Sequence, residues 1–431
     1  MSAPDKPQTQ SPWTWIPTLY FAQGIPYVVV MTLSVIMYKN LNLSNTEIAL
    51  YTSWLYLPWV VKPLWSPLVD MFRTKRFWIV LLQFAVGVAL AFVAFTLPTP
   101  FFFQATLAVF WLMAFASATH DIAADGFYML GLRQHEQAAF VGVRSVFWRI
   151  ANIAGQGLLV VLAGMLAEQT GNVVLAWQIV FIVLAVMFAL IGLYHFFILP
   201  KPSADTAVRI EGDLVGDFVS TFVAFFRRAD IWLVLSFLLT YRLAEAQLVK
   251  LGSPFLLDKV EAGGLALSTA QVGWVYGTVG VIALTLGGIA GGYAISRKGL
   301  KFWLWPMLLA IHVPNLAYVF LAYVQPSSLP VIASAIAIEQ LGYGFGFAAY
   351  LLFMIMVADG PHKTAHYALC TGFMALGMML PGMVSGWIQT QLGYTHFFVW
   401  VCICTLPSML IALFVKIDPA FGKKEEKAGS A

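Results

Sequence analysis

Apolar residues run along this chain in long blocks, and each block stops at a short cluster of charges, prolines or glycines. A helix needs about 20 apolar residues to cross a hydrocarbon slab. Twelve such crossings are predicted, over residues 13–37, 46–69, 77–97, 101–130, 138–167, 176–199, 230–257, 268–296, 301–323, 328–358, 363–391 and 394–416. Several exceed a straight crossing, so these should tilt or project into water. An even number of crossings puts both termini on one face.

Composition leaves little else. The chain has 431 residues, 60% hydrophobic and 10% charged, where a soluble domain carries about 25% charged residues. Too little polar surface is available to fold in water, so an all-α membrane protein is expected. Cys370, Cys402 and Cys404 lie in apolar blocks without disulfide or zinc spacing and read as packing residues. Met1 to Ser11 lacks the pattern of a cleaved signal, so the first block is expected to remain as a span.

Basic residues fall on one side. Alternate loops hold Arg73, Lys75 and Arg76, then Arg133, the 200–229 stretch, Arg297 with Lys298 and Lys301, and Lys363; the opposite loops hold only Lys39 and Lys259. The positive-inside rule then places both termini in the cytoplasm. Residues 200–229 form the one long loop, a solvated cytoplasmic linker between a six-helix bundle over 1–199 and another over 230–416, with a cytoplasmic tail at 417–431.

The halves repeat each other. Leu43-Ser-Asn-Thr-Glu-Ile-Ala49 opens the second span and Leu267-Ser-Thr-Ala-Gln-Val-Gly273 the eighth, each with a Ser followed three residues later by Glu or Gln, the capping-box pattern. At the inner ends, Gly292-Tyr-Ala-Ile-Ser296-Arg297-Lys298-Gly299-Leu-Lys301 resembles the loop motif of the major facilitator superfamily, and Ser66-Pro-Leu-Val-Asp70-Met-Phe-Arg73-Thr-Lys75-Arg76 is its first-half copy. The resemblance implies the major facilitator fold, two pseudo-symmetric six-helix bundles that rock around a central cavity. Asp70, Arg73 and Arg297 are then gating candidates that latch the cytoplasmic side in one state.

Two stretches narrow the match. Pro58-Trp-Val-Val-Lys62-Pro-Leu-Trp65-Ser-Pro67-Leu-Val-Asp70 and Ala118-Thr-His-Asp121-Ile-Ala-Ala-Asp125-Gly126 resemble signature segments of the group that holds the AmpG muropeptide permeases, the acetyl-CoA transporters and the pyochelin/rhizobactin-type siderophore importers. His120 stands where many members carry glutamine. Likeness to the AmpG type implies proton-coupled import of anhydro-muropeptides, or of the GlcNAc-anhydroMurNAc disaccharide, across a bacterial inner membrane. A siderophore or acyl-CoA carrier, or a non-transporting receptor or scaffold, is the alternative.

Charges inside the blocks are the candidate chemistry, because a mid-bilayer charge costs roughly 2.5–3.5 kcal/mol even on the lenient scale. If the fourth and fifth spans are antiparallel neighbours, a rise of about 1.5 Å per residue puts Asp125 level with Arg144 and Asp121 level with Arg149. Lys62 reaches a similar depth, leaving one spare positive charge for an anionic substrate. A structural network is the competing reading, stronger for Asp125 with Arg144 than for Asp121 with Arg149. In the second half the repeat puts Tyr350 at the Asp125 position and loses the cluster, which leans toward function.

Arg242 and Glu245 can pair locally on the seventh span, and Lys250 lies near enough to its outer end to snorkel. Glu339 has no base on its own helix. Glu339 and Asp121, with Glu245 as an alternative, are therefore candidates for the coupling proton. Gln23, Tyr27, Asn152 and Gln156 are candidate sugar contacts, alongside Lys62, Asp125, Arg144, Arg149, Arg242 and Tyr350. Gly342-Tyr-Gly344-Phe-Gly346 lies within a span with no P-loop lysine, so close helix packing explains it better than a nucleotide loop. No catalytic constellation, cofactor motif, metal cluster or nucleic-acid patch stands out, and the expected partners are a small anionic solute, protons and lipid around a monomer.

Overall fold

A computed structural model describes residues 10–132, 134–203, 205–206, 214–358 and 363–422. Hydrocarbon offers no hydrogen bonds to a backbone, so a lipid-facing crossing must close its own. Among the described residues the regular structure is accordingly all helix.

Six crossings precede the linker. They are α1 (Pro12–Asn40), α2 (Asn45–Trp54 and Leu57–Phe72), α3 (Lys75–Thr96), α4 (Phe102–Gly131), α5 (Gln134–Ile153, continuing through Val160–Thr170) and α6 (Val173–Ile198). Six follow: α7 (Ile231–Leu257), α8 (Thr269–Lys298), α9 (Leu300–Val324), α10 (Leu329–Ala358), α11 (363–392) and α12 (394–412). Gly393, at φ 69° and ψ 165°, makes the turn between the last two. The twelve-crossing prediction therefore holds, with ends shifted by a few residues.

Local chemistry explains the interruptions. The second span stops at Trp54 and restarts at Leu57 with Pro58 in its first turn, where a missing N–H costs nothing. α7 breaks at Arg242, whose φ of −109° and ψ of 19° leave the helical region. Single π-turns widen α1, α5 and α8 at Val29–Leu33, Ala154–Leu159 and Gly273–Gly280. Both predicted capping boxes form, Ser44 with Glu47 and Ser268 with Gln271, at the equivalent ends of α2 and α8.

The linker departs from the expectation of a solvated tether. It contains a helix, Leu214–Phe226, whose Phe225 is fully buried and stacks on Phe373 of α11 at 6.4 Å. Earlier in it, the Asp205 carboxylate accepts the Lys75 and Arg76 backbone N–H groups at 2.7 and 3.0 Å. These are orphan donors at the positive end of α3, which a carboxylate satisfies well. The Arg76 guanidinium in turn donates to the Leu199 carbonyl at 3.2 Å and to that of Phe196, closing the end of α6. The linker is thus fastened to both halves.

The halves meet where α1 packs on α7, α2 on α11 and α5 on α8. Within the second half, the Gly342–Gly346 stretch packs as expected. A Cβ at Gly344 would run into the Leu284 carbonyl of α8, and one at Gly346 would lie 2.5 Å from the Met307 carbonyl of α9. The α5–α8 seam is as tight, since a Cβ at Gly277 would collide with the Gln156 carbonyl. Gly277→Leu should therefore disfavour this closed seam without preventing membrane insertion. In a background lacking the native cysteines, maleimide labelling of a Thr371→Cys reporter in the cavity wall should fall several-fold; unchanged labelling would show that the seam does not need this contact.

Candidate functional site

A cavity of about 730 Å³ lies between the halves. Tyr27, Tyr56 and Arg242 line its deep part, with Trp59 and Lys62 of α2 on one wall and Thr371, Met374 and Met378 of α11 on another. Lys75, Leu130, Asp205 and Tyr367 also line it, and all four lie at helix ends on the linker side or in the linker. The cavity therefore opens toward the end of the molecule that carries the linker.

The opposite end is sealed by polar bonds between halves. Lys39 Nζ lies 2.6 Å from Asp258 Oδ1 and donates to Asn45 Oδ1 at 2.8 Å. Asn45 donates to Gln389 at 2.9 Å, and Tyr394 donates to Asp258 Oδ2 at 2.7 Å. Deeper in, Lys250 is fully buried, donates to Thr52 Oγ1 at 3.0 Å and sits 5.2 Å from the Tyr56 ring centroid. It does not snorkel, because α2 covers it and supplies both a hydroxyl acceptor and a π face.

The sequence pairing of acids and bases is half realised. Arg144 Nη2 reaches Asp125 Oδ1 at 2.9 Å, its guanidinium over the Tyr20 and Tyr128 rings at 4.6 and 5.1 Å. Tyr20 also donates to Asp125 at 3.2 Å. Asp121 does not meet Arg149. Its Oδ2 lies 3.8 Å from Lys62 Nζ and accepts from Trp59 Nε1 at 3.3 Å, and Gln23 also bears on the carboxylate.

The reason is that α4 and α5 are not packed neighbours at that depth. α1 stands between them, with Gly24 so close to α5 that a Cβ there would lie 2.7 Å from Ala151 Cβ. Arg149 turns to the other half, donating to Thr285 Oγ1 of α8 at 3.3 Å and lying against Gly288.

The remaining candidates divide. Tyr27, Lys62, Asp125 and Arg242 line the cavity; Gln23, Arg144, Arg149, Asn152, Gln156 and Tyr350 do not. Asn152 donates to the Trp148 carbonyl and accepts from Gln156, a bond along α5 itself. Tyr350 stacks on Tyr241 at 4.6 Å and donates to the Leu238 carbonyl within the second half. Arg73 and Arg297 lie over their own helix-end neighbours Phe77 and Tyr293, and the Asp70 side chain lies outside the described residues. His120, His195 and Gln83 form a buried ladder that ends on Thr18, joining α4, α3, α6 and α1. Trp59, Tyr56 and Lys75 were missed by sequence reasoning; the Pro58-Trp59 start of a helix turn beside Lys62 was the available signal.

In the second half, Arg242 donates to Tyr343 and stacks over Phe347 at 5.0 Å rather than forming an ion pair with Glu245. Glu245 and Glu339, from α7 and α10, are both buried and act on each other's charge. Gln340 donates to Glu339 Oε2 at 2.9 Å. Glu339 Oε1 and Glu245 Oε2 are buried without a hydrogen-bond partner. A buried pair of incompletely bonded acids is costly as two anions.

Twelve crossings around a one-sided cavity with opposed charges define a membrane transporter. The family profile of the Major Facilitator Superfamily matches residues 18–363, and the chain belongs to that superfamily. It is 27% identical over 403 residues to the anhydromuropeptide permease of Escherichia coli strain K12, an alignment covering 92% of this chain and 78% of that one. Among solved structures, it resembles a mutant of the nucleoside transporter NupG with TM-score 0.71 and 16% identity, over 93% of this chain and 99% of that one. It also resembles an inward-facing, unoccupied bacterial homolog to the human lysosomal transporter Spinster, with TM-score 0.69 and 14% identity over 94% and 96%. These two likenesses are of fold.

The Lys39–Asp258 cluster carries a direct consequence. Asp258→Asn removes the charge that both Lys39 and Tyr394 address. Opening of the sealed end should become about fivefold more frequent, equivalent to about 1 kcal/mol. Labelling of a Ser53→Cys reporter, buried at the α2–α11 seam, by an impermeant maleimide measures it, and an unchanged rate would show that the cluster does not hold the end closed.

Proposed function

We propose that this chain is a secondary active transporter that imports anhydromuropeptides, or their GlcNAc-anhydroMurNAc disaccharide, across a bacterial inner membrane with protons, by alternating access. The observation that carries the reading is the cavity itself. Lys62 from the first half and Arg242 from the second both line it, so an anionic solute bound there touches both moving parts. Likeness to the Escherichia coli permease supplies the substrate class.

On this reading the linker end faces the cytoplasm, in keeping with the basic residues of its loops, and the sealed end faces outward. Residues 1–199 and 230–416 move as bundles joined by 200–229, with 417–431 a cytoplasmic tail. The chain works as a monomer, since the cavity is built from one copy's two halves. Arg144 with Asp125 braces the first bundle, Arg149 crosses to α8, and Asp70, Arg73 and Arg297 act at the cytoplasmic gate.

The coupling proton is assigned to Glu339 and Glu245, with Asp121 held by Lys62 and Trp59 instead. An oxygen buried without a donor is relieved when its acid is protonated, and the pair offers two such oxygens. Asp121 is the second choice for the same role.

Uptake of labelled GlcNAc-anhydroMurNAc into energised right-side-out vesicles tests the reading. Uptake should collapse with an uncoupler. Glu339→Gln should abolish accumulation while leaving exchange of internal for external sugar within about twofold of wild type. Accumulation insensitive to the uncoupler, or retained in Glu339→Gln and Glu245→Gln alike, would sink the proton assignment; no uptake at all would sink the substrate.

A further inference from the structure

Trp59 and Lys62 stand three residues apart on α2, on the same helix face, and both line the cavity. One group holds both. Asp121 Oδ2 accepts from the Trp59 indole at 3.3 Å and lies 3.8 Å from Lys62 Nζ. Tyr27, with ring centroids 5.4 Å apart and planes at 89° in a T-shaped contact, braces the indole further.

This geometry fixes the ring firmly and the ammonium loosely. A separation of 3.8 Å attracts charge without a short hydrogen bond, and an ammonium has three donors to offer. Gln23, which also bears on Asp121, keeps its Oε1 buried without a partner. Across the cavity, Arg242 keeps its Nε without an acceptor. With Asp125 answered by Arg144, Lys62 and Arg242 against Asp121 leave one formal positive charge at this depth of the cavity.

A braced aromatic ring one turn from an underused cation suits a ligand that is a ring with an acidic arm. An indole takes the C–H face of a pyranose by dispersion over a large apolar surface. An ammonium takes a carboxylate attached to that ring.

We propose that Trp59 and Lys62 form a subsite for a pyranose carrying a carboxylate, and that Asp121 is the resident counter-ion the ligand's carboxylate displaces from Lys62. The proposal rests on the amino-sugar reading above and says which residues select within that class. Trp59 selects for the ring, and Lys62 for the acid. Asp121 is a positioning residue that orients both when the site is empty and lowers the affinity for an acid by competing with it.

Equilibrium binding to the purified full-length chain, with N-acetylmuramic acid and N-acetylglucosamine as probes, separates these roles. The two sugars share a ring and differ in the lactyl carboxylate. Wild type should prefer the acid by about tenfold or more. Lys62→Gln should erase the preference by weakening the acid alone. Trp59→Leu should weaken both sugars by about tenfold and keep their ratio, whereas Trp59→Phe, which keeps a ring but loses the N–H, should retain most of the neutral sugar's affinity. Asp121→Asn should tighten the acid alone, a change that mere loss of fold does not produce.

Failure of either sugar to bind, equal affinity for both, or a preference that survives Lys62→Gln overturns the subsite. These binding differences without uptake of GlcNAc-anhydroMurNAc would instead sink the transport reading and leave the subsite standing.

Discussion

A charge inside a bilayer must find its relief within the protein, and this constraint organises the molecule. Arg144 relieves Asp125 and itself lies against two tyrosine rings. Lys62 and Trp59 relieve Asp121. Lys250, with no acid in reach among the described residues, takes a hydroxyl and an aromatic face. At the sealed end Lys39 and Asp258 share a net of amides and a phenol. Each arrangement ties together helices that hydrophobicity alone leaves free to slide, because lipid tails are as apolar as the side chains between them.

Where polar bonds are absent, close approach does the joining. Glycines let α8 and α10 touch carbonyl to Cα, and let α5 and α8 meet across the two halves at Gly277. Dispersion at such a seam falls by about a quarter to a half when the backbones part by an ångström or less. A seam of this kind is therefore either closed or open, which suits two rigid halves that exchange one closed end for the other. The linker adds an asymmetry to that exchange. Asp205 holds it at α3 and Phe225 holds it at α11, so it is anchored to one half near its start and to the other near its end.

Much of this was legible in the sequence, because bilayer thickness imposes a length that apolar blocks display directly. The twelve crossings, both capping boxes and the packing role of Gly342–Gly346 follow from patterns local in sequence. Asp125 with Arg144 was also legible, since near a short turn two helices must converge. Asp121 with Arg149 failed because level along the chain does not imply adjacency: α1 stands between the two helices, and no pattern in α4 or α5 records it. Lys250 failed similarly, since its cover comes from α2 across the interface. Trp59 was overlooked because its one sequence signal, a place one turn before Lys62 in the helix that Pro58 opens, is weak for one of 15 tryptophans, and its N–H on Asp121 is visible only in the fold.

The asymmetry between halves, visible in the sequence as a lost charge cluster, takes on a physical meaning from Arg242. The first half sets a base beside each of its two acids within the spans, Arg144 at 2.9 Å from Asp125 and Lys62 at 3.8 Å from Asp121. The second leaves Glu245 and Glu339 incompletely bonded, and Arg242 is the cation that acts on Glu245. Arg242 also lines the cavity and is bound to Tyr343. On the proposed reading, an anion that draws on Arg242 from the cavity reduces what this cation does for Glu245 behind it. Coupling of this kind needs no long path, only one cation shared between a solute on one side and the buried Glu245 on the other.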